Sequence, residues 1–284
     1  MGPWLLLFVL VMTLSSACGG GKEGPTPLPS ASSSPAVSPK LTGTPAATPV
    51  PSPTASLPPT LEPTLPPTLP PTPPSPPAQV IRKGNPNRKM VALTFDAGSD
   101  AGYAAQILDT LKANGVHASF GMTGVWAERN PELVKRIAGE GHHLINHSYD
   151  HQSFTGASSG KPALTQAQRW EEMDKTETIV NQLTGATTKP YFRPPYGDYD
   201  DSVNADVGAR GYQYNVMWSV DSGGWRGIST AEITQRCLDG AEPGAIVVMH
   251  VGAASQDGPA LQGVIDGLRA AGYTIGAVPD VVAP

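Results

Sequence analysis

The sequence predicts an α/β domain built on a parallel sheet, closed or nearly closed, with helices outside it. Three observations carry this. Val91-Ala92-Leu93-Thr94-Phe95 is a short apolar and β-branched run that ends abruptly in Asp96 and a turn at Gly98, the pattern of a buried parallel strand. Ile246-Val247-Val248-Met249 repeats the pattern and ends in His250. Around these two runs, strand and helix signals alternate from about residue 89 onward. In such architectures the carboxyl ends of the strands form the rim where ligands bind, so Asp96 and His250 are candidate site residues. The plainer alternative for Asp96 is a helix cap.

Taken in order, the chain divides into a leader-like segment (1–18), a linker (19–82) and one folded domain (83–284). Trp4 to Leu14 is almost wholly apolar, the length of a secretory h-region and short for a bilayer span. Ser15-Ser16-Ala17-Cys18 follows it and resembles a bacterial lipoprotein signal, with Cys18 as the lipid carrier; ordinary secretion with cleavage after Ala17 is the alternative. Twenty of the 31 prolines fall between Pro25 and Pro77. That stretch has few large apolar side chains and lacks backbone donors, so it builds no core. Its tetrapeptide pattern, from Leu57-Pro58-Pro59-Thr60 to Leu69-Pro70-Pro71-Thr72, fits a stiff spacer reaching up to roughly 150 Å at about 3.1 Å per residue.

Beyond the linker, helices are expected at Ala101 to Ala113, Asn130 to Gly139, Thr165 to Leu183 and around Ala231 to Leu238. Strands are expected at His117 to Met122, His142 to Ile145, Tyr191-Phe192, Gln213 to Val220, Ala245 to Met249 and Tyr273 to Ala277.

A net charge of −5 with no run of Lys or Arg lacks the electrostatic footprint of a nucleic-acid binder. With only Cys18 and Cys237, no disulfide framework is expected, and Cys237 reads as a small core residue on a helix face shared with Ile233.

Three further stretches place chemistry at the rim. Asn146-His147-Ser148-Tyr149-Asp150-His151 follows a strand directly, and two histidines four apart on one side of a helical turn can offer two nitrogens to zinc or a similar ion. In Phe192-Arg193-Pro194-Pro195-Tyr196-Gly197, two prolines present Arg193 and Tyr196 in one direction, and a fixed guanidinium can hold a carboxylate such as Asp96 ionised. Asp221-Ser222-Gly223-Gly224-Trp225 puts an acid and an aromatic at the same rim. A polar surface turn is the alternative for the first stretch and a surface loop for the second. His250 can donate a proton at neutral pH.

In order and spacing, Thr94-Phe95-Asp96-x-Gly98, His147-Ser148-x-x-His151, Arg193-Pro194-Pro195-Tyr196, Asp221-x-x-x-Trp225 and Val248-Met249-His250 resemble the five motifs of the polysaccharide deacetylases, the NodB-type enzymes of carbohydrate esterase family 4. The similarity runs from about Lys89 to Ala277. It implies a distorted, incomplete (β/α) barrel that removes N-acetyl, or in some members O-acetyl, groups from sugars. Carried over residue by residue, it implies Asp96 as general base, Arg193 as its orienting partner and His250 as general acid. His147 and His151 become ligands of a divalent metal, zinc first. The Tyr196 backbone N–H becomes an oxyanion donor, with Trp225 and Val248 shaping the acetyl pocket beside Asp221.

Two positions depart from the family pattern. Ala97 stands where a second aspartate, a metal ligand, is usual, so the two histidines must hold any metal without an anionic partner unless Asp100, Asp150, Asp198 or Asp221 moves in. Gly224 stands where an aspartate tuning the acid histidine is usual. The resulting expectation is a monomeric hydrolase of an exported or cell-wall polysaccharide such as peptidoglycan or a chitin-like chain. It would be anchored outside the membrane through lipid on Cys18, or else secreted. The alternatives are a carbohydrate-binding lipoprotein without catalysis, derived from a deacetylase, and a wall-spanning structural protein.

Overall fold

A computed structural model describes residues 75–283. The leader-like segment, Cys18 and the linker up to residue 74 lie outside the described residues. In chain order the elements are β1 (Gln79–Ile81), β2 (Met90–Ala97), α1 (Ala104–Ala113), β3 (Ser119–Met122), α2 (Gly124–Arg129), α3 (Pro131–Gly139), β4 (His143–Asn146), α4 (Gln166–Thr184) and β5 (Tyr191–Phe192). They continue as α5 (Asp201–Ala209), β6 (Tyr214–Val216), β7 (Val220–Asp221), α6 (Thr230–Asp239), β8 (Ile246–His250), α7 (Asp257–Ala270), β9 (Thr274–Gly276) and α8 (Val278–Val282).

The strands pair in the order β1-β6-β5-β4-β3-β2-β8-β7, with β9 alongside the first half of β2. Every strand pair is parallel. The sheet curls into a distorted, incomplete (β/α) barrel. Just past β1, Gly84 N–H donates to Gly244 O at 2.7 Å and Lys83 bridges Ala245, which draws that edge toward the entry of β8.

Alternation along β2 shows why the sequence folds this way. Val91, Leu93, Phe95 and Ala97 enter the apolar cluster under the helices, and Ala92 enters the cluster inside the barrel. Thr94 and Asp96 share the inward face with Ala92, because successive side chains of a strand point to opposite faces. Both faces are therefore buried, as a two-sided parallel strand requires. In β8, Val247 and Met249 face the helices and Ile246 faces inward, which puts Val248 and His250 on the inward side as well. Val278 and Val281 of α8 join the inner cluster, and Val278 N–H donates to Ser119 Oγ at the start of β3. The barrel is thus plugged from its amino-terminal end, and its carboxyl end opens into a cleft. Each fully buried Leu, Ile or Phe in these clusters contributes about 1.5–3 kcal/mol.

Several expectations are corrected. Gln213 to Val220 is not one strand. It breaks at Met217–Ser219 into β6, which lies between β1 and β5, and β7, which lies beyond β8. Hydrogen bonds at the crossing differ accordingly: Met217 N–H goes to Ile81 O and Ser219 N–H to Ile246 O. β1 lies inside residues 19–82, so the folded part begins before residue 83. Helices α2, α5, α7 and α8 were not expected. Helix α4 matches its signals closely, with a Thr165–Gln168 capping box and Gly185 in the left-handed region at its end. Among the described residues no helix is long and apolar enough to cross a membrane.

Candidate active site

The carboxyl ends of the strands open into a cleft of about 620 Å³. At its floor, β2 delivers Asp96 in register with Gly121 of β3 and His250 of β8. The approach to Gly121 is so close that a Cβ there would sit 2.6 Å from Asp96 Oδ1; no other residue fits without moving the carboxylate. Among the described residues Asp96 caps no helix, and its carboxylate is taken up by Arg193 instead.

Arg193 follows β5 and points into the barrel, fully buried. Its Nη1 donates to Asp96 Oδ1 at 2.6 Å, its Nη2 to Thr94 Oγ1 at 3.0 Å and its Nε to Val216 O at 3.0 Å. These bonds satisfy the guanidinium on three sides, as a buried charge demands. Burial alone would raise the Asp96 carboxyl, but the Arg193 guanidinium, with His250 adding to it, outweighs burial and holds the group below its ordinary value. The expected common direction for Arg193 and Tyr196 is corrected. Tyr196 adopts φ 61 in the turn after β5 and is 56% exposed on the rim, while Arg193 runs inward.

The histidine stretch is not a helical turn. Ser148 and His151 both have φ 65, and the chain loops tightly after β4. Helix α4 clamps this loop: Glu172 Oε2 accepts from Tyr149 and Asp150 N–H, and Thr176 Oγ1 donates to Ser148 O at 2.7 Å. The two rings nevertheless meet, with centroids 4.9 Å apart, and His151 packs edge-on against Tyr196. His147 Nδ1 pairs with Arg193 O at 2.8 Å, which leaves Nε2 facing Asp96 Oδ2 at 3.7 Å. Burial lowers both imidazoles, His151 to about 4 with His147 adding to the effect. They are therefore neutral, the form that binds metals.

These two nitrogens fit a divalent ion, since the free Nε2 of His147 is aimed by a carbonyl on its other nitrogen, as metal-binding histidines commonly are. The site is nonetheless short of a ligand. Among the described residues no group of three or more His, Cys, Asp or Glu is arranged to hold a metal. Ala97 is fully buried in the outer apolar cluster. The four candidate substitutes are committed elsewhere: Asp100 to Ala253 N–H, Asp150 to Gln152, Asp198 to Ser153 and Ser158, and Asp221 to Gly223 N–H and Trp225 Nε1.

Beside Asp96 on the neighbouring strand stands His250, with Val248 two residues before it on the same face and Asp221 and Trp225 also lining the cleft. Trp225 is 53% exposed, so with Tyr196 it offers an aromatic face on each side of the opening. Sequence reasoning missed Asp257, the first residue of α7. It is completely buried, and its Oδ2 accepts from His250 N–H and Ser255 Oγ, both at 2.8 Å. The signal that could have found it is Ser255-Gln256-Asp257-Gly258, an acid seven residues past His250 at a helix start.

The cleft thus gathers an ionised carboxylate, two neutral histidines, a buried arginine and a further histidine, all at one end of the barrel. The polysaccharide deacetylase family model matches residues 83–215. A peptidoglycan-N-acetylglucosamine deacetylase of Bacillus cereus is 37% identical over 182 residues, 64% of this chain and 62% of that protein; the chain therefore spans about three-fifths of that relative's length. A peptidoglycan-N-acetylmuramic acid deacetylase of Bacillus subtilis is 33% identical over 203 residues, 70% of this chain and 73% of its own. Among solved structures, a family 4 carbohydrate esterase of Bacillus subtilis superposes with a TM-score of 0.65 at 32% identity, covering 71% of this chain and 84% of the other. A Bacillus anthracis chain described as a pseudoenzyme of the same family reaches 0.66 at 28% identity, covering 72% of this chain and 69% of the other. With five motifs in order, the barrel they predict and relatives of this extent, the chain belongs to the polysaccharide deacetylases, carbohydrate esterase family 4.

Proposed function

We propose that the protein is a hydrolase that removes N-acetyl groups from an exported or cell-wall polysaccharide, with peptidoglycan as the substrate and Asp96, His250 and Arg193 as its catalytic machinery. The observation that carries the reading is the placement of Asp96 and His250 in register on adjacent strands at the floor of one cleft. Asp96, kept ionised by Arg193, takes the proton of the attacking water. The Tyr196 N–H, in a turn held by Gly197 N–H on Pro194 O, steadies the oxygen of the acetyl group as charge develops on it. His250 gives its proton to the departing amine nitrogen, which is too basic to leave as an anion. Trp225 and Tyr196 stack against sugar rings at the rim, and Val248 and Asp221 border the acetyl group. When bound by His147 and His151, a divalent ion, zinc in the first instance, would polarise the acetyl carbonyl and lower the pKa of the attacking water. The names of the Bacillus relatives support peptidoglycan and a site of action at the cell wall, outside the membrane.

A second reading is favoured by Ala97: a carbohydrate-binding protein that has kept the cleft and lost turnover. Resemblance to the Bacillus anthracis pseudoenzyme supports it. Acetate release by the purified chain on peptidoglycan and on N-acetylglucosamine oligomers, after chelation and after zinc or cobalt is restored, separates the two. Release that returns with metal is the expected result. Glycan binding with no release under any condition would replace the first reading with the second.

A further inference from the structure

Gly224 and Asp257 are 33 residues apart in sequence and share one small volume. A Cβ built on Gly224 would lie 2.3 Å from Asp257 Oδ1 and 2.6 Å from Oδ2, closer than any real side chain stands. The Asp257 carboxylate therefore fills the space that a side chain at position 224 would need. It is fully buried at the first turn of α7. Oδ2 is held by His250 N–H and Ser255 Oγ. Among the described residues Oδ1 has no hydrogen-bond partner, and neither does His250 Nδ1, which is also buried. A buried acceptor and a buried donor left open side by side are uncommon in a folded protein. His250 Nδ1 lies 3.8 Å from Asp257 Oδ2, a charge-pair distance.

We propose that Asp257 is the positioning carboxylate of His250, supplied from α7 across the gap that Gly224 leaves open. The proposal rests on the reading of His250 as the acid. A carboxylate at Nδ1 keeps a proton on that nitrogen and favours the imidazolium, so Nε2 is the nitrogen that gives up its proton. In the step it serves, the C–N bond breaks, its electron pair stays on the amine nitrogen, and the Nε2 proton moves to that nitrogen. His250 is left neutral with Nδ1–H still facing Asp257. The other ionisable groups facing His250 are Asp96 from β2, Asp221 from β7 and His147 and His151 from the loop after β4. None of them pairs with the backbone N–H of His250 as Asp257 does.

The test compares wild type, Asp257→Asn and His250→Gln in the full chain, by steady-state acetate release and by NMR titration of the His250 ring. Asp257→Asn keeps the shape and an acceptor for His250 N–H. It is expected to lower kcat by about 10- to 100-fold with KM within about twofold, as loss of an outer-shell orienting partner does, and to move the His250 titration to lower pH. Gly224→Ala, which leaves Asp257 in the sequence but displaces its carboxylate, is the second variant and should shift both readouts in the same direction. A folded Asp257→Asn with unchanged kcat and unchanged His250 titration would overturn the proposal. Full turnover in His250→Gln would overturn the acid reading beneath it, while the ring titration would still report whether Asp257 holds His250.

Discussion

Arg193 Nη1 donates to Asp96 Oδ1 at 2.6 Å, a pair in which the guanidinium is wholly buried and the carboxylate nearly so. Removing one partner of such a pair leaves the other charge without water or a counter-ion, which costs about 3–5 kcal/mol. Arg193→Ala is therefore expected to lose that much stability in urea denaturation. Arg193→Lys should recover little of it, because an ammonium cannot reach Asp96, Thr94 and Val216 O from one planar fork.

Asp96→Asn tests the base separately from the fold. The amide oxygen can still accept from Arg193, so the variant should retain its circular dichroism spectrum and part of its stability. Acetate release should drop by at least about 100-fold, the lower end of what a general base contributes. Retained turnover would remove Asp96 from the role.

The glycine on the neighbouring strand gives a third test. Gly121→Ala puts a methyl 2.6 Å from Asp96 Oδ1, and the side chain with least freedom to yield is the one bound to Arg193. Turnover should fall by about 10-fold or more through misplacement of the base, with stability lowered by about 1–3 kcal/mol from overpacking. Wild-type kinetics in this variant would mean that the strands part without cost.

How much of this was legible in the sequence depends on whether a local pattern or a distant contact set the outcome. Asp96 and His250 end apolar runs, and a strand-end titratable residue in a parallel sheet has only the rim to occupy. The split of Gln213 to Val220 was hidden because Tyr214, Val216, Trp218 and Val220 alternate as the face of one strand would, and only the backbone partners, Ile81 on one side and Ile246 on the other, separate β6 from β7. The loop carrying His147 and His151 read as a helical turn because its shape comes from Glu172 and Thr176 on α4, more than 20 residues away. The role of Asp257 was hidden for the same reason: Ser255 to Gly258 marks a helix start, but what the acid does depends on the space beside Gly224 that its carboxylate fills.

That loop yields a fourth prediction. With two neutral imidazoles and no anionic ligand at position 97, metal should bind reversibly and leave under mild dialysis against a chelator. Elemental analysis of the dialysed and reloaded protein should give metal in the wild type and none in His147→Ala. Glu172→Ala frees the Tyr149 and Asp150 N–H groups and should weaken loading by about 10- to 100-fold, because the loop that aims the two imidazoles is no longer held. Full loading in His147→Ala would move the metal site elsewhere, and full loading in Glu172→Ala would mean that the loop keeps its shape without the clamp.

The pH dependence of turnover follows from the balance of forces on His250. Burial alone would lower its pKa, but the Asp257 and Asp96 carboxylates outweigh it, so the ring titrates above its ordinary value. A proton donor works only while protonated; activity is therefore full below that raised pKa and lost as pH climbs through it. The basic limb of kcat should accordingly lie above about 6.5, the value of an unperturbed imidazole, and it should fall toward or below that value in Asp257→Asn. A limb below 6.5 in the wild type would mean that desolvation wins, and that His250 is too weakly protonated at neutral pH to serve as the acid.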